Sequence, residues 1–276
     1  MYAFKYQKAA SVAAAAARLA AAPQAKLLAG GQTLVAAMKL RLADCGEIID
    51  LGAIKELSGI VVEGSSVTST VTSTVTIGAM TRHAQVAASS ALRAAIPALA
   101  ALAGGIADRM VRNMGTIGGS VANNDPAADY PAGLLALGAT IVTNRRRIAA
   151  DDFFTGMFET ALSAGEIITA VSFPVPVRAA YMKFKNPASR YAIVGVFVAD
   201  LGGSVRVAVT GAAPVVFRVP AMEQALATRF APDSIAAIRV PEEGLNSDIH
   251  AQVDHRAHLV TVMAMRAVEA ASKQAA

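Results

Sequence analysis

The feature that most constrains this chain is a Gly-Gly pair met twice in a similar setting. "AGGQT" (29–33) follows the apolar stretch "KLL", which reads as a strand, and precedes a helical pattern. "TIGGS" (116–120) carries the same pair between hydroxyl side chains. Glycine admits positive φ and lets a ligand or another backbone approach closely. Consecutive exposed N–H groups, above all at a helix N-terminus, hold anionic oxygens. Thr33, Thr116 and Ser120 add short hydroxyl donors. Two such loops are able to clamp the two phosphates of a dinucleotide from both sides.

Neither loop is a standard phosphate signature. There is no G-x-x-x-x-G-K-[ST], so a P-loop hydrolase is not indicated, and no G-x-G-x-x-G follows a strand. The wider stretch "NMGTIGGSVANNDPAAD" (113–129) reads as neither a good helix nor a good strand. By residue type alone two readings stay open. Asn123, Asn124, Asp125 and Asp129 offer acceptors for ribose or ribityl hydroxyls and for a base amino group. Equally, Asp125 caps a turn before Pro126 and Asp129 caps the helix starting near Pro131.

The first 50 residues alternate β-α-β-α-β: "FKYQ", an alanine-rich helix over 11–22, "KLLAGG", "QTLVAAMKLRLA" and "EIIDL". Ser11 is placed to cap the first helix and Pro23 to end it. In the second, Leu34, Met38 and Leu42 share a face. "VTSTVTSTVTIG" (67–78) alternates, with Thr68, Thr70, Thr72, Thr74 and Thr76 on one side. It reads as one long strand or a hairpin with a wet face. Residues 81–111 are helical, broken near Pro97 and Gly104–Gly105. A helix, a strand and the proline-ended strand "EIITAVSFPVP" follow, so a boundary is placed at 174–178. Beyond it come three antiparallel strands, then helices in "VPAMEQALA", "PDSIAAI" and "DHRAHLVTVMAMRAVEAASK". The layout is α+β.

Composition excludes several functions. The net charge is +5, and the densest basic run, Arg145–Arg147, lacks interleaved aromatics, which argues against nucleic acid. One cysteine, Cys45, cannot form an intrachain disulfide or hold an iron–sulfur cluster. His83, His250, His255 and His258 are not grouped with carboxylates at metal spacing, so no metal site is expected. Redox chemistry would therefore need an organic cofactor or a partner. "KAASVAAAAARLAAAPQA" superficially resembles a signal peptide, but Arg18 interrupts its weakly apolar run. No stretch suits a membrane span.

The motifs together resemble a known family. "LLAGGQTLVAAMKLRLADCGEIIDLGAIKELSGI" (27–60), "IGAMTRHAQV", "IADRMVRNMGTIGGSVANNDPAADYPAGLLALGA" and "GEIITAVSFPVP" follow in the order found in medium subunits of the xanthine dehydrogenase and carbon monoxide dehydrogenase (molybdenum hydroxylase) family. The resemblance runs nearly the whole length. It implies a two-lobed FAD-binding domain of the vanillyl-alcohol oxidase type over 1–174, with lobes of about 1–55 and 56–174. A small antiparallel-sheet-plus-helices domain would cover 175–276.

It also implies a cofactor site. Ala29, Gly30, Gly31, Gln32, Thr33 and Leu34, with Thr116, Ile117, Gly118, Gly119 and Ser120, would grip the FAD pyrophosphate. Asn123 and Asp129 match positions at the ribityl and adenosine region. Ile106 matches an apolar flavin contact, Ile168 one near the adenine, and Lys185 one near the isoalloxazine. Tyr191 would shape the environment of the ring. No residue of this chain is assigned as a catalytic base. The partners implied are a small subunit with two [2Fe–2S] clusters and a large subunit with a molybdopterin cofactor, in a dimer of heterotrimers. An external acceptor would be reduced in the cytoplasm, or at a membrane reached through a partner. The other reading carried from the sequence is a self-sufficient flavin oxidoreductase of the same fold.

Overall fold

The computed structural model describes residues 1–64 and 73–273. The chain begins with β1 (Lys5–Lys8), α1 (Val12–Ala21), β2 (Ala25–Leu28), α2 (Leu34–Lys39) and β3 (Glu47–Asp50). The strands form a parallel sheet in the order β1-β3-β2, with Ile48 and Ile49 of central β3 buried. In such a sheet the loop after β2 leaves the carboxyl end of a strand and opens a helix, so its N–H groups point outward. The Ser11 hydroxyl accepts from the Ala14 N–H at 3.1 Å and starts α1, which Arg18 ties to Glu47 of β3 at 2.7 Å.

α2 is shorter than its periodicity implies. Arg41 takes a left-handed conformation (φ 59°), and the N–H groups of Arg41 and Leu42 fold back to the carbonyls of Met38 and Ala37. This Schellman closure ends the helix. Met38 is therefore buried, while Leu42 is 79% exposed and does not share its face.

The next elements are β4 (Ile60–Glu63), β5 (Thr74–Gly78), α3 (His83–Ala88), α4 (Ser90–Ala95), α5 (Pro97–Gly104), α6 (Arg109–Met114), α7 (Ile117–Asn123), α8 (Tyr130–Leu137), β6 (Thr140–Thr143), β7 (Arg147–Ala149), β8 (Phe154–Gly156), β9 (Glu159–Thr160) and β10 (Ile168–Pro174). An antiparallel sheet runs β4-β5-β10-β6-β7, with the late strand β10 at its centre. Much of the expected 67–76 strand lies outside the described residues. From Thr74 onward Val75 and Ile77 are buried and Thr74 and Thr76 half-buried, as alternation requires. The helical run 81–111 breaks once more than its prolines and glycines suggest. At Ser89 the hydroxyl accepts from the Leu92 N–H at 3.2 Å and caps a new helix.

The chain ends with β11 (Arg178–Lys185), β12 (Ala192–Asp200), β13 (Val205–Thr210), β14 (Phe217–Arg218), α9 (Pro220–Thr228) and α10 (Val253–Ser272). The strands pair antiparallel in sequence order. "PDSIAAI" forms only a 3-10 turn over Pro232–Ile235, not the helix expected. One face of this sheet joins the core of α5 and α8 through Phe197, Ala199 and Ala208. The other meets α9 and α10 through Val196, Val198, Met222, Val260 and Met263. Covered on both faces, β12 is an unbroken apolar run rather than an alternating one. For the same reason every residue of α8 is buried. His255 and His258 sit on the exposed side of α10.

Candidate functional site

A cleft of about 710 Å³ opens between the first sheet and the helices α6 and α7. That volume is within the usual range for cofactor sites. Every candidate residue except Ile117 and Lys185 lines it. Ala29, Gly30, Gly31, Gln32, Thr33 and Leu34 form one wall. Thr116, Gly118, Gly119, Ser120, Asn123 and Asp129 form another. Ile106, Ile168 and Tyr191 stand around them. Ile117 is buried in the core. Lys185 is exposed at the end of β11, and Lys183, two residues earlier, takes the inward position.

The two glycine stretches differ in kind. In the first, Gly31 has φ +70°, which favours glycine. A Cβ on Gly30 would lie 2.3 Å from the Met114 carbonyl oxygen and 2.6 Å from the Gly115 Cα. The absent side chain thus lets the two stretches touch. The N–H groups of Gly30, Gly31, Gln32, Thr33 and Leu34 have no protein acceptor among the described residues. Five adjacent donors of this kind at the start of α2 suit the oxygens of an anion.

The second stretch is not a loop. Thr116 caps α7, its hydroxyl accepting from the Gly119 N–H at 3.2 Å, so Gly118 and Gly119 lie inside a helix. Glycine there costs about 1 kcal/mol each relative to alanine. At Gly118 the reason is packing: a Cβ would lie 2.6 Å from the Ala79 Cβ, and its N–H bonds the Ala79 carbonyl at 2.8 Å. The close approach is to Ala79. Left-handed Asn124 (φ 43°) ends the helix, and its amide holds the carbonyls of Gly156 and Glu159.

Of the acidic residues, only Asp125 takes the capping role open in the sequence. Asp125 caps a turn, accepting from the Ala127 N–H at 2.9 Å. Asp129 stands at the N-cap of α8 without capping it. Its carboxylate accepts from the Tyr181 hydroxyl at 2.6 Å and pairs with the Lys183 ammonium at 2.9 Å. The Lys183 ammonium also donates to the carbonyls of Gly105 and Arg190, each at 3.0 Å. One buried ammonium thus joins the helical half of the cleft to the third sheet. Burial pushes the Asp129 carboxyl up, opposed by Lys183 and Tyr181. Burial and the Asp129 charge push the Tyr181 hydroxyl well up. Burial, with Asp125 and Asp129, also raises Tyr191.

Two further cleft residues escape sequence reasoning. Glu166 is held by Arg146 at 2.9 Å, the Ser163 N–H and the Thr143 hydroxyl, and its pKa falls to about 2. His83, the first residue of α3, has its pKa pushed down to about 4 by burial, with a smaller push from Arg112. Both groups bind protons more readily in the unfolded chain, so both stabilise the fold at neutral pH and lose that effect in acid. For His83 the loss runs from about pH 6.5 down to about 4 and amounts to about 3 kcal/mol. For Glu166 it follows between about pH 4.5 and 2. Urea unfolding of the wild type between pH 7 and 4 should show the first fall. His83→Gln should flatten it, and an unchanged slope would count against the assignment.

A free N–H row closed over by a second glycine segment, in a cleft with apolar and hydroxyl-bearing walls, defines a binder of a phosphate-bearing nucleotide cofactor. Residues 2–176 match the family described as the FAD binding domain in molybdopterin dehydrogenase. The chain belongs to that family and is an oxidoreductase component. It is 36% identical to the carbon monoxide dehydrogenase medium chain of Hydrogenophaga pseudoflava, covering 97% of this chain and 96% of the relative. It is 35% identical to the nicotine 6-hydroxylase medium subunit of Paenarthrobacter nicotinovorans, with 96% of each covered. The solved carbon monoxide dehydrogenase of H. pseudoflava superimposes with a TM-score of 0.87 over 100% of this chain and 99% of that one.

Proposed function

We propose that this chain is the FAD-carrying medium subunit of a heterotrimeric molybdenum hydroxylase. It receives electrons from [2Fe–2S] clusters of a small subunit, the molybdopterin cofactor lies on a large subunit, and the chain passes the electrons to an external acceptor. The observation that carries the cofactor part of this reading is the row of five N–H groups, without a protein acceptor among the described residues, on residues 30–34 that line a cleft of cofactor size. The donors suit a diphosphate: neutral N–H groups from 30–34, with hydroxyls from Thr33, Thr116 and Ser120. In this reading 1–174 is the FAD domain and 175–276 the smaller flavoprotein domain.

When bound, FAD supplies a redox couple able to take up electrons singly and release them singly or in pairs. The chain's own residues bind and orient it. Gly30–Leu34 and Ser120 hold the phosphates, Asn123 faces the sugar hydroxyls, and Ile106 and Ile168 keep water from the apolar walls. Lys183 and Asp129 fix the wall where the third sheet meets the cleft. The chain's one thiol, Cys45, is buried among Met38 and Ile48 and takes no part.

Purified from its native source, the protein should be yellow, release FAD on denaturation, and bring with it two further subunits containing iron and molybdenum. A colourless chain that cannot be reconstituted with FAD would overturn the cofactor reading. Substrate turnover by the chain alone, without partners, would overturn the heterotrimer in favour of a self-sufficient flavin oxidoreductase.

A further inference from the structure

The second glycine segment brings few backbone donors to the cleft. The N–H groups of Gly115, Ile117, Gly118, Gly119 and Ser120 are bonded to Val111, Thr81, Ala79, the Thr116 hydroxyl and the Thr116 carbonyl. An anion seated where the two segments touch therefore meets free N–H groups on the side of Gly30 and Gly31. On the other side it needs a side-chain donor.

His83 stands at that point. It lines the cleft, is 4% exposed, and its backbone N–H donates to the Gly115 carbonyl at 2.9 Å. The Nε2 atom lies against Gly115: a Cβ on that glycine would be 2.6 Å from it. Gly115 is in turn the residue that Gly30 touches. Neither ring nitrogen has a hydrogen-bond partner among the described residues, and of the two only Nδ1 is sealed from the cleft. The Tyr130 ring packs beside it with centroids 5.4 Å apart. Arg112 on α6 is the charged group that acts on the imidazole, and α5, packed along α3, carries no charge.

A neutral imidazole has one N–H. On Nδ1 it would be a buried donor without an acceptor, the rarer and costlier defect. On Nε2 it leaves only a lone pair sealed inside. We propose that His83 is a ligand-contacting residue, a neutral imidazole whose Nε2–H donates to an anionic oxygen of the dinucleotide's diphosphate where the two glycine segments meet. The proposal rests on FAD as the ligand and adds a donor that the glycine motifs do not contain.

The test uses the full chain stripped of flavin. FAD is titrated into wild type, His83→Gln and His83→Phe. The glutamine amide can replace the Nε2–H, and phenylalanine keeps the ring without a nitrogen. A hydrogen bond to a charged oxygen is worth about 1.5–3 kcal/mol, or about tenfold and more in affinity. The Phe variant should therefore bind FAD at least about tenfold more weakly, and the Gln variant within about threefold of wild type. Riboflavin, which has no phosphate, should not distinguish the three. Nitrogen-15 spectra of labelled histidine should show the proton on Nε2, and that resonance should move on FAD addition.

Unchanged FAD affinity in the Phe variant overturns the proposal, as do equal losses in both variants or a proton on Nδ1. If the Phe variant does not fold, the nitrogen-15 spectra, through the protonated nitrogen and its response to FAD, still decide. A wild type that takes up no FAD overturns the flavin reading instead, and riboflavin and FAD controls separate that failure from this one.

Discussion

Lys183→Met is expected to lower the unfolding free energy by about 3–5 kcal/mol, the cost of leaving one partner of a buried ion pair alone. The Lys183 side chain is 9% exposed and the Asp129 side chain 5%. Without the ammonium, Asp129 keeps only the Tyr181 hydroxyl, and the carbonyls of Gly105 and Arg190 lose their donor. The deficit should depend on pH with a definite sign. Burial already pushes the Asp129 carboxyl up, and losing Lys183 pushes it further. A carboxyl raised in the folded state stabilises the fold at low pH and loses that contribution as pH rises. The gap between variant and wild type should thus be widest at neutral pH and shrink in acid. Adding Asp129→Leu should recover much of the loss, because an apolar pair leaves no charge stranded. Urea unfolding of wild type, both single variants and the double variant closes the cycle. Additive losses would show that the two side chains do not act as a pair.

Gly30→Ala is expected to weaken FAD binding by about tenfold to hundredfold while leaving the chain folded. The new methyl would meet the Met114 carbonyl oxygen at 2.3 Å and the Gly115 Cα at 2.6 Å. Both are backbone atoms, so one segment must move. Overpacking of this kind costs about 1–3 kcal/mol, which at 1.4 kcal/mol per factor of ten gives that range. The moving part is the anion seat itself, so the cost falls on the ligand. Gly104→Ala is the control: its Cβ would rest 3.8 Å from the Ala87 Cβ, an ordinary contact. FAD titrations that show equal affinity for the two variants would remove the close approach of the segments from the account of binding.

Much of the frame was legible because it depends on local chemistry. Ser11 and the small residues after it specify a capped helix, and the apolar runs around "AGGQT" specify strand, turn and helix. Asp125 was readable as a turn cap because its partner, Ala127, is two residues away. The early end of α2 was not readable, since the left-handed position is an arginine rather than a glycine. Lys185 was expected inward by resemblance, while Lys183 holds the inward place. Two residues apart on a strand, both lysines are candidates for one face by period, but the pairing with β12 is irregular between Phe184 and Lys185. Only the contact with Asp129 decides between them.

What the sequence by itself determined is the order of elements, the α+β class and the presence of two glycine segments flanked by hydroxyls. Each rests on periodicity, capping or residue size over a few neighbouring positions. Only the tertiary structure decided what the glycines are for. Gly31 adopts a positive φ, Gly30 admits the other segment, and Gly118 admits Ala79 from within a helix. It alone placed His83 at the cleft and tied Lys183 to Asp129 in the cleft wall, through partners 32 and 54 residues away at Gly115 and Asp129. The physical reason is that burial and charge pairing are properties of space. A carboxylate, an ammonium and an imidazole acquire their roles from what excludes water around them, and no local pattern in the chain records that.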